Sequence, residues 1–207
     1  VRGQGENVRL LLSANPGHPR ANLTTLNREN PEQPPMFCML LRKHLQGARI
    51  LELNQPPLER ILEFRLETLD ELGDRVERRL VLEAMGRSAN LLLLDGEGRI
   101  IDCIRRVDGD LGRGQRQLLP GLFYRQPPAP DKLNPFTIEP EELRLVLETP
   151  LGKEWDKLLL DSFTGLSPLV ARELAFRAGG DRERLAAELE KLKNNVNENG
   201  LTPYLLV

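Results

Sequence analysis

The chain has little of the chemistry that catalytic and metal sites require. It contains two cysteines and two histidines among 207 residues, and neither type is spaced like a set of metal ligands. We expect Cys38 and Cys103 to be reduced core residues, which suits the cytosol. The sequence also lacks a phosphate loop, a dinucleotide-binding fingerprint and a serine nucleophile elbow. We therefore predict a protein that is not an enzyme and has no catalytic residues, metal or cofactor.

Long apolar runs and a strong charge of one sign are also lacking. No run approaches the ~20 residues that span a bilayer, and no signal peptide precedes the first predicted strand. We expect a cytoplasmic protein that does not enter a membrane. The net charge of -2 gives no global attraction to nucleic acid. Residues 1–125 hold 19 basic and 17 acidic side chains, and residues 126–207 hold 10 and 14, so an RNA contact would come from a local patch in the first half.

The first part of the chain alternates apolar and polar residues with the period of an antiparallel sheet. One amphipathic helix interrupts the series, starting at Pro34 and Pro35 and ending at Gly47. Asp95 to Gly98 read as a hairpin turn. The predicted strands are Val8–Ser13, Ala21–Thr25, Arg49–Leu53, Leu58–Thr68, Arg75–Ala84, Asn90–Leu94 and Arg99–Arg106.

Five prolines between Gln126 and Pro140 predict a break in regular structure, and beyond them the apolar period becomes helical. The predicted helices are Glu141–Glu148, Glu154–Phe163, Pro168–Ala178 and Asp181–Asn194. We divide the chain into a β-rich domain (1–126), a proline-rich linker (127–138), a helical domain (139–200) and the start of a further segment (201–207). The predicted fold class is α+β. Because the chain starts on Val1 and ends on apolar residues, we expect sequence to be missing at both ends.

The helix that ends near Gly47 carries Arg42, Lys43 and His44 in its last turn. Cations there are stabilised by the helix dipole, which is one sufficient reason for their presence. The alternative is that Arg42 and Lys43 contact phosphate. His44 falls within the apolar arc of the helix, where a hydrogen-bonded histidine is a simpler interpretation than a catalyst or a metal ligand.

Arg60 is predicted to share one face of a strand with Leu62, Phe64 and Leu66, because it lies at the same period of two. An arginine among apolar neighbours needs a partner or a ligand. It is either a strand-end arginine that extends to water or a guanidinium that faces a phosphate or a base. Glu59 would point to the opposite face.

Two glycine-containing turns complete the candidate sites. Gly86, Arg87 and Ser88 separate two predicted strands and form either a plain connection or an exposed cation on a bend. Gly165 ends one predicted helix and Ser167 caps the next, so this turn is either an ordinary helical hairpin or a source of backbone amides for a phosphate.

The run from Asn30 to Ile50, which contains PPMFCMLLRKH, resembles the signature of the NFACT family. Further segments resemble the family in the expected order, namely Leu10–Arg20, LERI at Leu58–Ile61, ELGD with EAMGRSAN at Glu71–Asn90, Leu118–Pro128 and Gly165–Leu174. The family pattern has LDRI where this chain has Glu59 in place of Asp. It has MGRHSN where this chain has Ser88 and Ala89 in place of His and Ser.

The resemblance implies an N-terminal domain similar to that of formamidopyrimidine-DNA glycosylases, followed by a helix-hairpin-helix unit. It also implies a role in ribosome-associated quality control, with tRNA and the large ribosomal subunit holding a stalled nascent chain as partners and alanine tailing as the outcome. The family's acidic residue and arginine for tRNA handling correspond to Glu59 and Arg60. The RNA-binding residues expected here are Glu59, Arg60, Arg87, Arg42, Lys43, Gly165 and Ser167. The alternatives are a protein-interaction module that binds fibronectin, after the family's older name, and a base-excision enzyme suggested by fold alone.

Overall fold

The computed structural model describes residues 1–3, 5–109, 116–148, 154–198 and 200–202. The predicted terminal segment 201–207 therefore lies largely outside the described residues. The chain divides into two compact units, Val1–Pro127 and Pro128–Val207. The first contains the strands and one α-helix, and the second contains the remaining α-helices that the structure describes. The predicted α+β class, with a β-rich part followed by a helical part, is confirmed.

The first unit is built on a five-stranded antiparallel sheet in the order β5-β6-β7-β8-β9, in which sequence neighbours pair throughout. Two short two-stranded sheets, β1-β2 and β3-β4, precede it. The strands are β1 (Arg2–Gly3), β2 (Glu6–Asn7), β3 (Arg9–Ser13), β4 (Arg20–Thr24), β5 (Arg49–Asn54), β6 (Ile61–Leu69), β7 (Arg75–Glu83), β8 (Asn90–Asp95) and β9 (Ile100–Cys103). The helix α1 (Met36–Leu45) lies between β4 and β5, as predicted.

Alternation along the strands gives the large sheet two apolar faces. On one face, Phe64, Leu66, Leu80, Leu82 and Leu91 form a core against which α1 and the β3-β4 hairpin pack. On the other, a second core is formed by Ile61, Val81, Leu92, Leu94, Ile100, Cys103 and Leu118. Cys103 is 4% exposed, and burial raises the pKa of its thiol, with the Asp102 carboxylate adding to the effect. Cys103 is therefore a core residue without a disulfide, as expected, whereas Cys38 is also free but only half-buried.

Two predicted strands, Leu58–Thr68 and Arg99–Arg106, are shorter in the structure by two residues or more. The segment predicted from Leu58 begins as a strand only at Ile61. Leu58 has φ of 58°, in the left-handed region that a β strand excludes. The Glu59 amide donates to the Pro56 carbonyl at 3.1 Å and closes a turn. Arg60 follows that turn and is exposed, so the prediction that it lies in the apolar row of β6 is wrong. The strand predicted over Arg99–Arg106 covers only Ile100–Cys103.

The second unit packs four helices around one core. They are α2 (Pro140–Leu147), α3 (Trp155–Ser162), α4 (Pro168–Ala178) and α5 (Arg182–Asn197). Phe163, Leu159, Ala171 and Leu185 are among its most buried residues. From the segment predicted as a linker, Ile138 belongs to this core and Leu133 packs against it. Helices α3 and α4 are joined by a short turn, and their assignment as a helix-hairpin-helix unit stays a prediction.

Candidate nucleic-acid interface

Arg60 lies at the start of β6, immediately after a compact turn. The Gln55 side-chain amide donates to the Glu59 carbonyl at 2.9 Å, which ties this turn to the end of β5. Within the described residues, the Arg60 guanidinium makes no hydrogen bond or ion pair. The turn therefore fixes the Arg60 backbone and leaves its cation exposed to solvent. Glu59 is half-buried in the same turn.

The loop that carries Arg87 lies beside Arg60. Strands β6 and β7 are antiparallel, and Ile61 pairs with Glu83. One step further on, the Ala84 amide donates to the Arg60 carbonyl at 2.7 Å. The chain then forms a 3-10 turn over Gly86–Ser88. The antiparallel register thus brings the Glu59-Arg60 turn and the Arg87 loop, 27 residues apart in sequence, to the same end of the sheet.

The first residue of the Glu83–Asn90 motif is a buried acid. Glu83 is 0% exposed, and its two carboxylate oxygens accept from the terminal nitrogens of Arg116 at 2.6 and 2.7 Å. The Tyr124 hydroxyl donates to the same carboxylate at 2.8 Å. Burial raises the pKa of Tyr124, with Glu83 adding to the effect. Burial opposes the Arg116 charge, but the hydrogen bonds and the negative charge of Glu83, with a smaller contribution from Tyr124, together raise the pKa of Arg116.

Asn90, the last residue of the motif, binds the backbone of the segment that follows β9. Asn90 is 1% exposed. Its side-chain carbonyl accepts from the Arg105 amide at 3.0 Å, and its side-chain amide donates to the Arg105 carbonyl at 2.7 Å. The Arg105 guanidinium in turn donates to the Arg87 carbonyl at 2.6 Å. The loop is therefore anchored at both ends and at its middle, while the Arg87 side chain is exposed and unpaired within the described residues.

The basic residues of α1 lie at a different place. Lys43 forms an ion pair of 2.7 Å with Glu71, in the turn that joins the far end of β6 to β7. The residues of β6 from Ile61 to Leu69 cover about 26 Å at ~3.3 Å per step. Lys43 therefore lies at the end of β6 opposite to Arg60 and the Arg87 loop, and contact of Arg42 and Lys43 with RNA stays a prediction. The amphipathic pattern of α1 fixes which face packs on the sheet, but it does not indicate which end of the sheet the last turn reaches.

Gly165 and Ser167 lie in the second unit, in the turn before α4. Gly165 has φ of 76°, where a residue with a side chain is strained. The Ser167 side chain accepts from the Val170 amide at 3.2 Å, so it acts as the predicted N-cap. The turn conformation explains why residue 165 is a glycine, and the cap of α4 explains why residue 167 is a serine. Contact of this turn with RNA stays a prediction.

Sequence reasoning singled out the exposed Arg87 but missed the groups that hold its loop. These are the buried Glu83 and Asn90, the half-buried Arg116 and the exposed Arg105. A signal was present for two of them. Glu83 follows Val81 at a period of two, and Asn90 precedes Leu92 and Leu94 in the same way, so a polar residue occupies an inward position on each strand. The described residues contain no group of three or more histidine, cysteine, aspartate or glutamate side chains that could hold a metal ion.

A family model described as NFACT N-terminal and middle domains matches residues 1–207. The chain belongs to the NFACT family. The Rqc2 homolog RqcH of Bacillus subtilis (strain 168) is 39% identical over 207 residues, which cover 99% of this chain and 36% of that protein. This chain thus spans about a third of the length of that relative.

Two solved structures of the family share the fold. The fibrinogen binding protein from Staphylococcus aureus matches with a TM-score of 0.80 and 32% identity, over 98% of this chain and 70% of that one. The N-terminal part of the fibronectin/fibrinogen-binding protein from Streptococcus suis matches with a TM-score of 0.77 and 36% identity, over 93% and 70%. None of the helices described in this chain is long and apolar enough to cross a bilayer.

Proposed function

We propose that this chain is the RNA-binding part of a ribosome-associated quality control factor. In this role the whole protein holds tRNA on large ribosomal subunits that carry a stalled nascent chain, and supports C-terminal alanine tailing of that chain. The support at family level is the similarity to an Rqc2 homolog over nearly all of this chain. Peptide-bond formation is left to the ribosome, since the sequence contains no evident pair of nucleophile and base.

The observation that carries the proposal is the pairing of the Glu59-Arg60 turn with the Arg87 loop. One hydrogen bond, from the Ala84 amide to the Arg60 carbonyl, links the two segments. Both arginines are exposed and lack protein partners within the described residues. Guanidinium groups suit both phosphates and base edges, since their planar donors match both geometries. An anionic RNA loop would receive two positioned cations here, with Glu59 available to accept from a base amino group.

The test is tRNA binding by variants that remove equal charge at the two ends of the sheet. We expect Arg60→Ala with Arg87→Ala to weaken binding by about ten- to a hundredfold and to reduce the slope of log affinity against log salt by about 1 to 2. The matched control, Arg49→Ala with Arg75→Ala, also removes two exposed cations. It lies at the other end of the sheet, where these residues pair with the last residues of β6. We expect it to have a smaller effect. Equal losses in both pairs, or an unchanged affinity in the first, would count against the proposal.

A second candidate function is fibronectin binding, which is favoured by the name of the Streptococcus suis structure. A capture experiment with immobilised chain separates the two. Large ribosomal subunits and fibronectin are offered together, and the Arg60/Arg87 variant is run beside the original chain. We expect large ribosomal subunits to be retained by the original chain and lost by the variant. Retention of fibronectin alone would favour the second candidate.

A further inference from the structure

A pocket of about 490 Å³ lies where the last turn of α1 meets the β6-β7 hairpin. Its polar lining comes from three elements. Lys43 and His44 belong to α1, Thr68 to β6 and Arg78 to β7, while Asp70 and Glu71 belong to the connecting turn. The pocket is therefore at the opposite end of β6 from Arg60, and nothing in the proposed function uses it.

Arg78 is the unusual member of this pocket. It is at the same period of two as Leu80 and Leu82, so it faces α1 on the apolar side of the sheet. One terminal nitrogen donates to the Glu77 carbonyl at 2.8 Å. Its Nε is buried and has no hydrogen-bond partner. No carboxylate of the described residues pairs with it. A half-buried cation with an unused donor is costly unless an acceptor is supplied.

The charges around His44 indicate that the pocket is cationic on this side. Burial lowers the pKa of His44, and the cations of Arg78 and Lys43 lower it further. Glu71 acts in the opposite direction but more weakly. Asp70 has one carboxylate oxygen committed to the Leu72 and Asp74 amides at 2.9 Å. Glu71 is held by Lys43 in a pair whose side chains are 79% and 56% exposed, and such a pair is easily exchanged for another anion.

We propose that this pocket binds a phosphate group, with the Arg78 guanidinium as its main partner and Lys43, His44 and Thr68 as further donors. Donors on three different elements suit a tetrahedral oxyanion, whose oxygens accept from several directions, better than a planar carboxylate. The basic side chains in the last turn of α1 offset the negative end of its dipole, which would otherwise repel an anion. On binding, Lys43 exchanges Glu71 for the phosphate and His44 gains an anionic neighbour.

The chain offers a direct readout because it has only two histidines, His18 and His44. Their imidazole proton signals are followed by NMR against pH, with His18→Gln for assignment, at increasing inorganic phosphate and constant ionic strength. We expect phosphate to raise the pKa of His44 saturably, by about half a pH unit or more, because an anion favours the charged imidazole. The His18 signal is the internal control and should not respond to phosphate in this way. If phosphate does not change the His44 titration, or if both histidine signals respond equally, the proposal is overturned.

Variants of β7 provide the matched comparison. Arg78→Met removes the proposed ligand, and Arg75→Met removes a cation from the same strand, where Arg75 is 77% exposed. Without phosphate, Arg78→Met should already raise the pKa of His44, since a neighbouring cation is gone. Added phosphate should then change it little, whereas Arg75→Met should respond like the original chain. A full phosphate response in Arg78→Met would contradict the assignment. Should Arg78→Met fail to fold, Arg78→Lys with Thr68→Val is used, and weaker saturation is expected.

The phosphate could belong to RNA or be a free anion, and a short RNA strand distinguishes the two sources. RNA that saturates the His44 response at least about tenfold below inorganic phosphate indicates a backbone phosphate, and a response to inorganic phosphate alone indicates a free anion. The inference is independent of the proposed function. If phosphate leaves the pKa of His44 unchanged while tRNA binding depends on Arg60 and Arg87, only the proposal of a phosphate pocket is rejected. If phosphate raises the pKa of His44 but the chain binds no tRNA, only the proposed function is rejected.

Discussion

Glu83 and Arg116 form a bidentate ion pair in the interior of the first unit, 33 residues apart in sequence. Glu83 is 0% exposed and the Arg116 side chain 20%. Since Glu83 ends β7 directly before the Arg87 loop, this pair connects that loop to the segment that carries Tyr124. The exposed Arg87 of the proposed interface is thus supported by the half-buried Arg116, which no local sequence pattern reveals.

Loss of Glu83 should therefore destabilise the fold far more than loss of an exposed acid on the same strand. We expect Glu83→Ala to lower the free energy of unfolding by about 3 to 5 kcal/mol, because it leaves the Arg116 charge without a partner. The control Glu77→Ala breaks an exposed pair with Arg65 and should cost about 1 kcal/mol or less. Urea denaturation measures both. Equal losses in the two variants would show that the buried pair adds nothing special.

The cap of α4 gives a prediction for the second unit. Ser167→Ala should lower the free energy of unfolding by about 1 kcal/mol, because the Val170 amide loses its acceptor. Ser167→Thr keeps an oxygen at the cap and should be nearly neutral. Asp181 caps α5 in the same way, through the Arg184 amide at 2.8 Å, so Asp181→Ala should cost a similar amount. A neutral Ser167→Ala, measured by urea denaturation, would contradict the capping role.

The sequence was sufficient to predict elements whose signals are local. The period of two predicts β6, β7 and β8 to within three residues at each end. The prolines before α1 and Gly47 after it predict the bounds of that helix. The predicted start of β6 is three residues too early because Leu58 adopts a left-handed φ. Leucine rarely adopts this conformation, so the sequence does not predict it. That one residue changes the interpretation of Arg60, from a strand residue among apolar neighbours to an exposed cation that follows a turn.

The arrangement of the site depended on pairing that sequence alone does not specify. The motif Glu83–Asn90 was recognised, yet its partners Arg105 and Arg116 come from later segments. The arginine that faces α1 from the sheet is Arg78, which lines one pocket with His44 of that helix. Its position follows from the register of β7, where Arg78 and Arg79 are adjacent and only one can face the apolar side. Because Leu80, Val81 and Leu82 make both faces of β7 apolar, the sequence alone does not indicate which face receives α1.

The stability of the chain should depend on the protonation of His44. Its pKa in the folded chain is lowered, first by burial and then by Arg78 and Lys43. The folded state therefore binds fewer protons than the unfolded state, and stability falls as the pH decreases through the ordinary range of histidine, from about pH 7.5 to 5.5. The lowered pKa of Glu71, due first to Lys43, acts only at more acidic pH. As the pH decreases over this window, the midpoint of urea denaturation should fall in the original chain. It should fall less in the His44→Gln variant. Identical pH profiles would contradict the prediction.

Arg105 should act on RNA binding through Arg87, because its guanidinium donates to the Arg87 carbonyl at 2.6 Å. We expect Arg105→Ala to weaken tRNA binding by about three- to tenfold, in line with the loss of one hydrogen bond to a charged group. Arg99→Ala is the control, since Arg99 is an exposed cation that stacks on Phe123 and bonds Glu97.

A double-mutant cycle distinguishes this positioning role from direct contact of Arg105 with RNA. If Arg105 only orders the loop, its removal has no further effect once Arg87 is alanine, so the double variant should bind tRNA no more weakly than Arg87→Ala alone. If Arg105 contacts phosphate itself, the two losses multiply and the salt slope falls again in the double variant. Additive losses would therefore reject the positioning role and enlarge the interface by one cation.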